Sequence, residues 1–480
     1  FERMFIIIDT IDECTNREKT LAWIEQLTQR KRGNIQALFS SRPEQDIIEK
    51  FRCMAYIARV TLNSKLADED IETYIDAMLS NMIRWDAQTI ALVKGALITD
   101  SDGMFRWVAF QISELSKCRT WRAVDDQLQN LPKDLEGMYE RALLNSPHQR
   151  DLKRCLMWLA FSSRPLESEE VADVVTVDLP SNGLPSYDPN LRYFSTEDML
   201  ITCSGFVTET ELDPKAYPWK PIRVIKLAHM SVKDYLVSDH IKAGAASYFS
   251  LNAMLAHSLI TKTCLAYLSH LRSFRVRSLN DSVLECFPLG PYAAKYWMKH
   301  MQLGGGEEEH LSQMKECIFS LNDTRALATW VRLKDADPDV DFSQAKFEKI
   351  PAYIASPLYY ACISGLTSVV QTLLDHNAII WLLDVNAQGG FYGNALQAAS
   401  EGGRDAIVRL LLDKGADVNA QGSFYGNALQ AASYEGHDEI VRSLLENGAD
   451  VNAQGGFYGN ALQAASHGGH DVIVRLLLDK

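Results

Sequence analysis

The chain opens on an unbroken apolar run, Met4-Phe5-Ile6-Ile7-Ile8, the pattern of a strand covered on both faces in a parallel sheet. A helix from about Arg17 to Arg32 follows, and Ile35-Gln36-Ala37-Leu38-Phe39 restores a strand, so residues 1–60 read strand, loop, helix, strand. Further on, Gly103-Met104-Phe105-Arg106-Trp107-Val108 opens a helix that continues through Leu115, and Leu131-Pro132-Lys133-Asp134-Leu135 leads Met138 and Tyr139 into another. Cys155 to Ala160 precedes Arg164-Pro165-Leu166 and an acidic helix start, Glu167 to Glu170. Arg223 to Ala228 alternates polar and apolar as a strand does and ends on His229, and Ser231 with Asp234 has the spacing of a capping box for the next helix. Near the end, Ile407, Val408, Leu411 and Leu412 recur at helical spacing.

That last pattern repeats. Asn386-Ala387-Gln388 returns at Asn419-Ala420-Gln421 and Asn452-Ala453-Gln454, steps of 419 − 386 = 33 and 452 − 419 = 33. Each unit reads Asn-Ala-Leu-Gln-Ala-Ala-Ser, a Gly-containing turn, then Ile-Val-Arg and a Leu-rich run. Alanines 398 and 399, 431 and 432, and 464 and 465 let neighbouring first helices approach closely, while Gly415 and Gly448 stand where a left-handed cap is wanted. Residues 353–480 thus resemble the ankyrin family. The usual Thr-Pro-Leu-His start is replaced by Asn394-Ala395-Leu396-Gln397, without the proline that pre-sets the first turn, whereas Ser356-Pro357-Leu358-Tyr359 keeps it. Asn394 − Ser356 = 38, so the first unit carries 38 − 33 = 5 extra residues, and a bulged hairpin is expected around Ile379 to Leu383.

Differences among the near-identical repeats gather at Glu401, Tyr434 and His467, at Gly402, Glu435 and Gly468, and at Ala406, Glu439 and Val472. In ankyrin geometry the first helices and the hairpin fingers line the concave face, where partners dock. These positions read either as partner contacts or as drift on solvated sites. Each finger also carries an aromatic pair, Phe391-Tyr392, Phe424-Tyr425 and Phe457-Tyr458: partner anchors, or rings packed on the next finger with a free rim. His467 and His470 have an HxxH spacing, a weak metal signal inside a Gly-rich turn.

The first strand ends on Asp9-Thr10-Ile11-Asp12-Glu13, and the second delivers Ser40-Ser41-Arg42-Pro43 to the same sheet edge. Acids at such an edge can hold the Mg²⁺ of a nucleotide and orient water, although acids also cap helices. Together the segments resemble Walker B and sensor 1 of a NACHT domain, the core of STAND-type signalling NTPases found in fungi. The resemblance implies Asp9 as the Mg²⁺ acid, Asp12 and Glu13 as the additional acids, and Arg42 as the γ-phosphate sensor. It implies a winged-helix histidine, His229, reaching the β-phosphate of ADP; its alternative is a hydrogen-bonded turn histidine. Phe287-Pro288-Leu289 to Tyr296-Trp297 also looks like these fungal proteins. ATP or ADP with Mg²⁺, and an oligomer on activation, belong to the full-length family. The phosphate-cradling G-x-x-x-x-G-K-[S/T] is nowhere in the chain, so no cofactor and no hydrolysis are expected of these residues.

The expected fold is mainly α. Residues 1–62 form a partial P-loop NTPase α/β remnant, 63–145 a helical domain, 146–245 a winged-helix domain, 246–350 a helical connector with a Gly304-Gly305-Gly306 joint, and 351–480 an ankyrin α-solenoid. Phe1 inside a strand and Lys480 at a helix end suggest a piece of a longer protein. The net charge of −14 disfavours nucleic acid and anionic membranes, which leaves a protein partner. The nine cysteines show no CxxC pair, no apolar run is long enough to span a bilayer, and a cytoplasmic location is expected. No G-x-S-x-G elbow and no placed Cys-His pair points to an enzyme. Two readings remain: a signalling switch whose repeats sense a protein ligand, or a plain ankyrin scaffold with a structural NACHT remnant.

Overall fold

The computed structural model describes residues 4–480 except 15, 30–34, 43, 55–56, 59, 61–63, 102, 181–182, 212–222, 274–280, 306–308, 335–354, 381–382 and 423. The protein is mainly helical and forms two compact units, Phe1–Ile112 and Ser113–Lys480.

In the first unit, strands Met4–Ile8 and Ile35–Phe39 pair in parallel, Met4 opposite Ile35 and Ile8 opposite Phe39. Ile8 and Phe39 turn onto a core of Ile11, Leu21, Ile24 and Ile47, supplied in part by helices Arg17–Gln29 and Gln45–Arg52. The other face carries Phe5, Ile7 and Leu38, and Ile7 is 74% exposed. Burial on both faces, expected from the unbroken apolar run, is therefore not what the strand has. Such a run needs a covering layer on each side. The described helix is Arg17–Gln29, and its expected end at Arg32 lies outside the described residues.

The second unit is built around helix Ala253–Leu271, most of whose length is buried. Packed on it are helices Leu289–Leu303, Glu309–Ile318, Arg325–Lys334 and Gln149–Phe161. Buried Arg154 has exchanged water for backbone, donating to the carbonyls of Val175 at 3.2 Å and Val177 at 2.6 Å. Strand Arg223–Leu227 lies between Leu166–Glu167 and Val207–Glu211, antiparallel to both. Glu167 and Glu170 form a capping box that starts helix Ser168–Asp173. The Ser231–Asp234 box expected from spacing does not form. Helix Met230–Val237 starts two residues earlier than a Ser231 cap would place it, and its cap is His229.

Fully buried His300 lies in a polar network, its Nε2 2.8 Å from the Tyr292 hydroxyl and its Nδ1 2.8 Å from His257 Nδ1. Burial, helped by the charges of His257 and Lys299, brings the His300 pKa from 6.5 down to about 4. Between those values the unfolded chain binds a proton that the folded chain refuses. The folded state is therefore at no disadvantage above pH 6.5 and loses stability as pH falls towards 4. Urea unfolding at about pH 7 and about pH 5 should show that loss, and His300→Gln should reduce it. Equal pH dependence in the two proteins would contradict this.

Four helix pairs complete the unit: Pro357–Ile363 with Thr367–Ile380, Ala395–Glu401 with Asp405–Asp413, Ala428–Glu435 with Asp438–Glu446, and Ala461–Gly468 with Asp471–Leu478. Ala398, Ala399, Ala431, Ala432, Ala464 and Ala465 are fully buried, so small side chains do set the spacing of first helices. The extra residues of the first repeat lengthen its second helix to 14 residues against 9 in the next two, a difference of 5. The apolar residues at 379 and 380 continue the helix instead of bulging a hairpin; residues 381–382 lie outside the described residues.

Candidate functional site

The missing Thr-Pro-Leu-His start has a direct replacement. The side chains of Asn394, Asn427 and Asn460 accept from the backbone N–H of Gln397, Gln430 and Gln463, each at 2.9 Å, supplying the helix cap. Gln397 then reaches across the repeat boundary to the Ala420 carbonyl at 2.9 Å, and Gln430 to that of Ala453 at 3.1 Å. Asn419 Nδ2 donates to the Gly448 carbonyl at 3.0 Å while its Oδ1 accepts from the Asp450 N–H at 2.8 Å. His437 bonds the Glu401 carbonyl at 3.0 Å, and His470 that of Tyr434 at 2.8 Å. Sequence reasoning did not assign these ladders a role. The signal was available in polar letters recurring every 33 residues, although recurrence alone does not say whether a polar group faces water or its neighbour.

On this frame the finger aromatics form two stacked rows. Phe391, Phe424 and Phe457 stack at centroid distances of 5.7 and 5.0 Å, with interplanar angles of 22° and 15°. Tyr392, Tyr425 and Tyr458 stack at 6.1 and 6.2 Å. The tyrosine row is the inner one, with Tyr425 buried, whereas the phenylalanines are 66%, 39% and 69% exposed. The rings thus pack finger on finger with a free rim, the second of the two sequence readings, and the outer row remains open.

Four of the nine divergent positions, Glu401, Glu435, Tyr434 and His467, border the inner row. Glu401 closes its helix beside Tyr392, and Tyr425 donates to Glu435 Oε1 at 3.0 Å. Tyr434 stacks on Tyr458 at 4.5 Å, and His467 lies 5.0 Å from Tyr458. Burial lifts the Glu401 carboxyl above its ordinary value, the Tyr392 hydroxyl opposes that, and the charge of Glu435 adds to it. Glu439, Ala406 and Val472 are exposed on the second helices, and none of the nine divergent positions is buried. The HxxH pair divides, His467 lying tilted against aromatic rings and His470 bonding a carbonyl; among the described residues no cluster has the makings of a metal site.

In the first unit the structure brings the acids and the serine-arginine strand end together. Thr10 takes a left-handed turn at φ 54°, and its N–H donates to Ser40 Oγ at 2.9 Å, while Ser40 Oγ donates to Asp9. Asp12, whose side chain is 6% exposed, accepts from the Arg42 N–H at 3.0 Å and pairs with its guanidinium at 3.4 Å. Arg17 donates to the Asp12 carbonyl at 2.6 Å and pairs with Asp46 at 3.2 Å. Glu13 ends the short 3-10 turn Ile11–Glu13. Asp9 and Ser40 thus present oxygens at an exposed strand end, chemistry that suits a hard cation. Arg42, by contrast, is engaged by Asp12. His229 belongs to the second unit, exposed at its strand-to-helix corner; its Nδ1 accepts from the Ser231 N–H at 3.1 Å, and the Ser231 hydroxyl meets Tyr139 OH at 2.9 Å.

Comparison with known proteins agrees with both ends of the chain. The family "Ankyrin repeats (3 copies)" matches residues 336–422 and 358–455, and "Nephrocystin 3, N-terminal" matches residues 1–42. The chain is 35% identical over 323 residues to "Azaphilone pigments biosynthesis cluster protein L" of Monascus ruber, covering 65% of this chain and 66% of that protein. It is 28% identical over 244 residues to "Vegetative incompatibility protein HET-E-1" of Podospora anserina, covering 48% of this chain and 16% of that protein. The chain therefore spans just under two thirds of one relative and a small part of the other. Among the described residues no helix is long and apolar enough to cross a membrane.

Proposed function

The chain fits a fungal NACHT-ankyrin protein, and on that premise we propose that its repeats are the protein-binding surface of a NACHT-type signalling switch. The observation that carries the reading is the open phenylalanine row, together with divergent positions along the neighbouring tyrosine row that are not sealed into the stack. Stacked rings offer contact area with little ordering cost, which is what partner anchors need. The partner docks on the concave side formed by fingers and first helices, in the cytoplasm, and its binding biases the closed and open states of the switch. The test is capture by the full chain from extract of the source organism, repeated with Tyr434→Ala/His467→Ala after circular dichroism has confirmed the fold. Loss of the captured protein supports the reading, and equal recovery overturns it.

The first unit supplies the Mg²⁺ side of a nucleotide site in this reading, and a bound Mg²⁺ would polarise the phosphates of ATP. Asp9, with Ser40 beside it, would hold the ion, Asp12 and Glu13 would orient water, and Arg42 would have to leave Asp12 to meet a phosphate. Residues 146–245 would serve as a winged-helix domain, and His229 would meet ADP only in the full-length protein. Arg42's engagement with Asp12 favours the second reading, in which this region is structural within an ankyrin scaffold. With no G-x-x-x-x-G-K-[S/T] in the chain, a fluorescent ATP analogue titrated into these 480 residues with Mg²⁺ is expected to show no saturable binding below about 1 mM. Tight binding would contradict that expectation.

A further inference from the structure

Charge is segregated along the repeats. The fingers with their first helices, residues 384–403, 417–436 and 450–469, contain the acids Asp384, Glu401, Asp417, Glu435 and Asp450 and no Lys or Arg. The basic residues lie outside them, and several are engaged there: Arg409 pairs with Asp405 at 3.2 Å and Lys414 with Asp375 at 3.1 Å. The finger aspartates serve the turns, accepting from the N–H groups of Asn386, Asn419 and Asn452 at 2.9, 3.0 and 2.9 Å. Glu401 and Glu435 differ from them. Each sits beside the hydroxyl of a stacked tyrosine, Tyr392 and Tyr425, whose ring planes are 13° apart, so the two carboxylates border neighbouring rings across a repeat boundary.

A carboxylate has about four lone-pair directions, so one tyrosine hydroxyl leaves room for more donors. The charge of Glu435 acts against that of Glu401 while His437 and Arg404 ease it, and a further cation arriving between the two carboxylates relieves the repulsion between them. Arginine suits the place better than lysine, because its flat guanidinium lies on aromatic rings and its fork of N–H groups bonds two carboxylates. The outer phenylalanine row, open along its length, suits apolar side chains next to that arginine.

We infer that the partner's docking segment is an extended, arginine-bearing peptide, its guanidinium held by Glu401 and Glu435 and its neighbouring apolar side chains on Phe391, Phe424 and Phe457. This rests on the reading of the finger edge as a partner surface and names the chemistry that edge selects. The probe is a fluorescein-labelled peptide of alternating arginine and leucine, titrated into the full chain by anisotropy. The same peptide with glutamine for arginine is the comparison. The expected result is saturable binding by the arginine peptide, weakened at least tenfold by Glu401→Gln/Glu435→Gln and by the glutamine replacement, with Phe424→Ala also weakening it. Arg409→Gln, on the far helix, checks that effects are local and should change little. Failure of the arginine peptide to bind overturns the inference, as does binding that the double carboxamide variant leaves unchanged. If the glutamine peptide binds as well as the arginine peptide and Phe424→Ala weakens both, the arginine assignment falls while the finger edge survives as a protein-binding surface.

Discussion

Trp330→Ala should cost the Ser113–Lys480 unit about 3–5 kcal/mol, the range for removing a large buried aromatic. Trp330 is fully buried at the point where the connector meets the first repeat. Its ring meets Trp297 at 6.0 Å, Phe319 at 5.6 Å and Tyr360 at 6.1 Å, and its Nε1 donates to the Ala294 carbonyl at 2.9 Å. Truncation opens a cavity among three rings and removes the indole N–H that the Ala294 carbonyl accepts in addition to its helical partner. The loss should appear in urea titrations of the full chain as a lowered midpoint for helical signal. Trp330→Phe refills most of the volume but not the hydrogen bond and should lose about 1–3 kcal/mol. A Trp330→Ala protein within about 1 kcal/mol of the parent would show that connector and repeats do not depend on this contact.

Arg164→Met is expected to be comparably damaging for an electrostatic reason. Glu170 has only 4% of its side chain exposed and is held by both Arg164 nitrogens, at 2.8 and 2.6 Å, while its Oε2 also accepts from the Glu167 N–H at 2.9 Å. Arg164 in turn lies over the Tyr292 ring, 5.2 Å from its centroid. Removing one partner of such a pair strands the other charge in a poorly solvated site, at about 3–5 kcal/mol, whereas neutralising both is far milder. Arg164→Met/Glu170→Gln should therefore be more stable than Arg164→Met alone. A double variant no better than the single one would mean that the cost comes from lost packing of the arginine stem.

The repeats were legible because a stack forces the same contact in each unit, so its letters recur at a fixed step. The same recurrence hid what the polar letters do. Gln397 and Asn419 look like surface residues until the next repeat supplies the carbonyl they bond. Ser231 and Asp234 had the right spacing for a cap, but His229 fits the same role one residue before the helix and its ring takes the amide instead. The apolar residues at 379 and 380 are as compatible with a longer helix as with an irregular loop, and local periodicity does not choose between them. In the first unit the strand ends were readable from their acids and Ser-Arg pair. The Asp12–Arg42 contact was not, because it depends on how the turn after Thr10 folds. The nearness of Glu401 and Glu435 was equally hidden, since they occupy adjacent, non-equivalent positions of successive repeats.

Hydrogen exchange of the full chain, with and without its captured partner, bears most directly on where that partner sits. Slower exchange along the fingers and first-helix ends around Phe391, Phe424, Tyr434 and Phe457, with helices Asp405–Asp413, Asp438–Glu446 and Asp471–Leu478 unchanged, is the result expected here. Protection confined to those second helices would place the partner on the opposite side of the repeats and contradict the account.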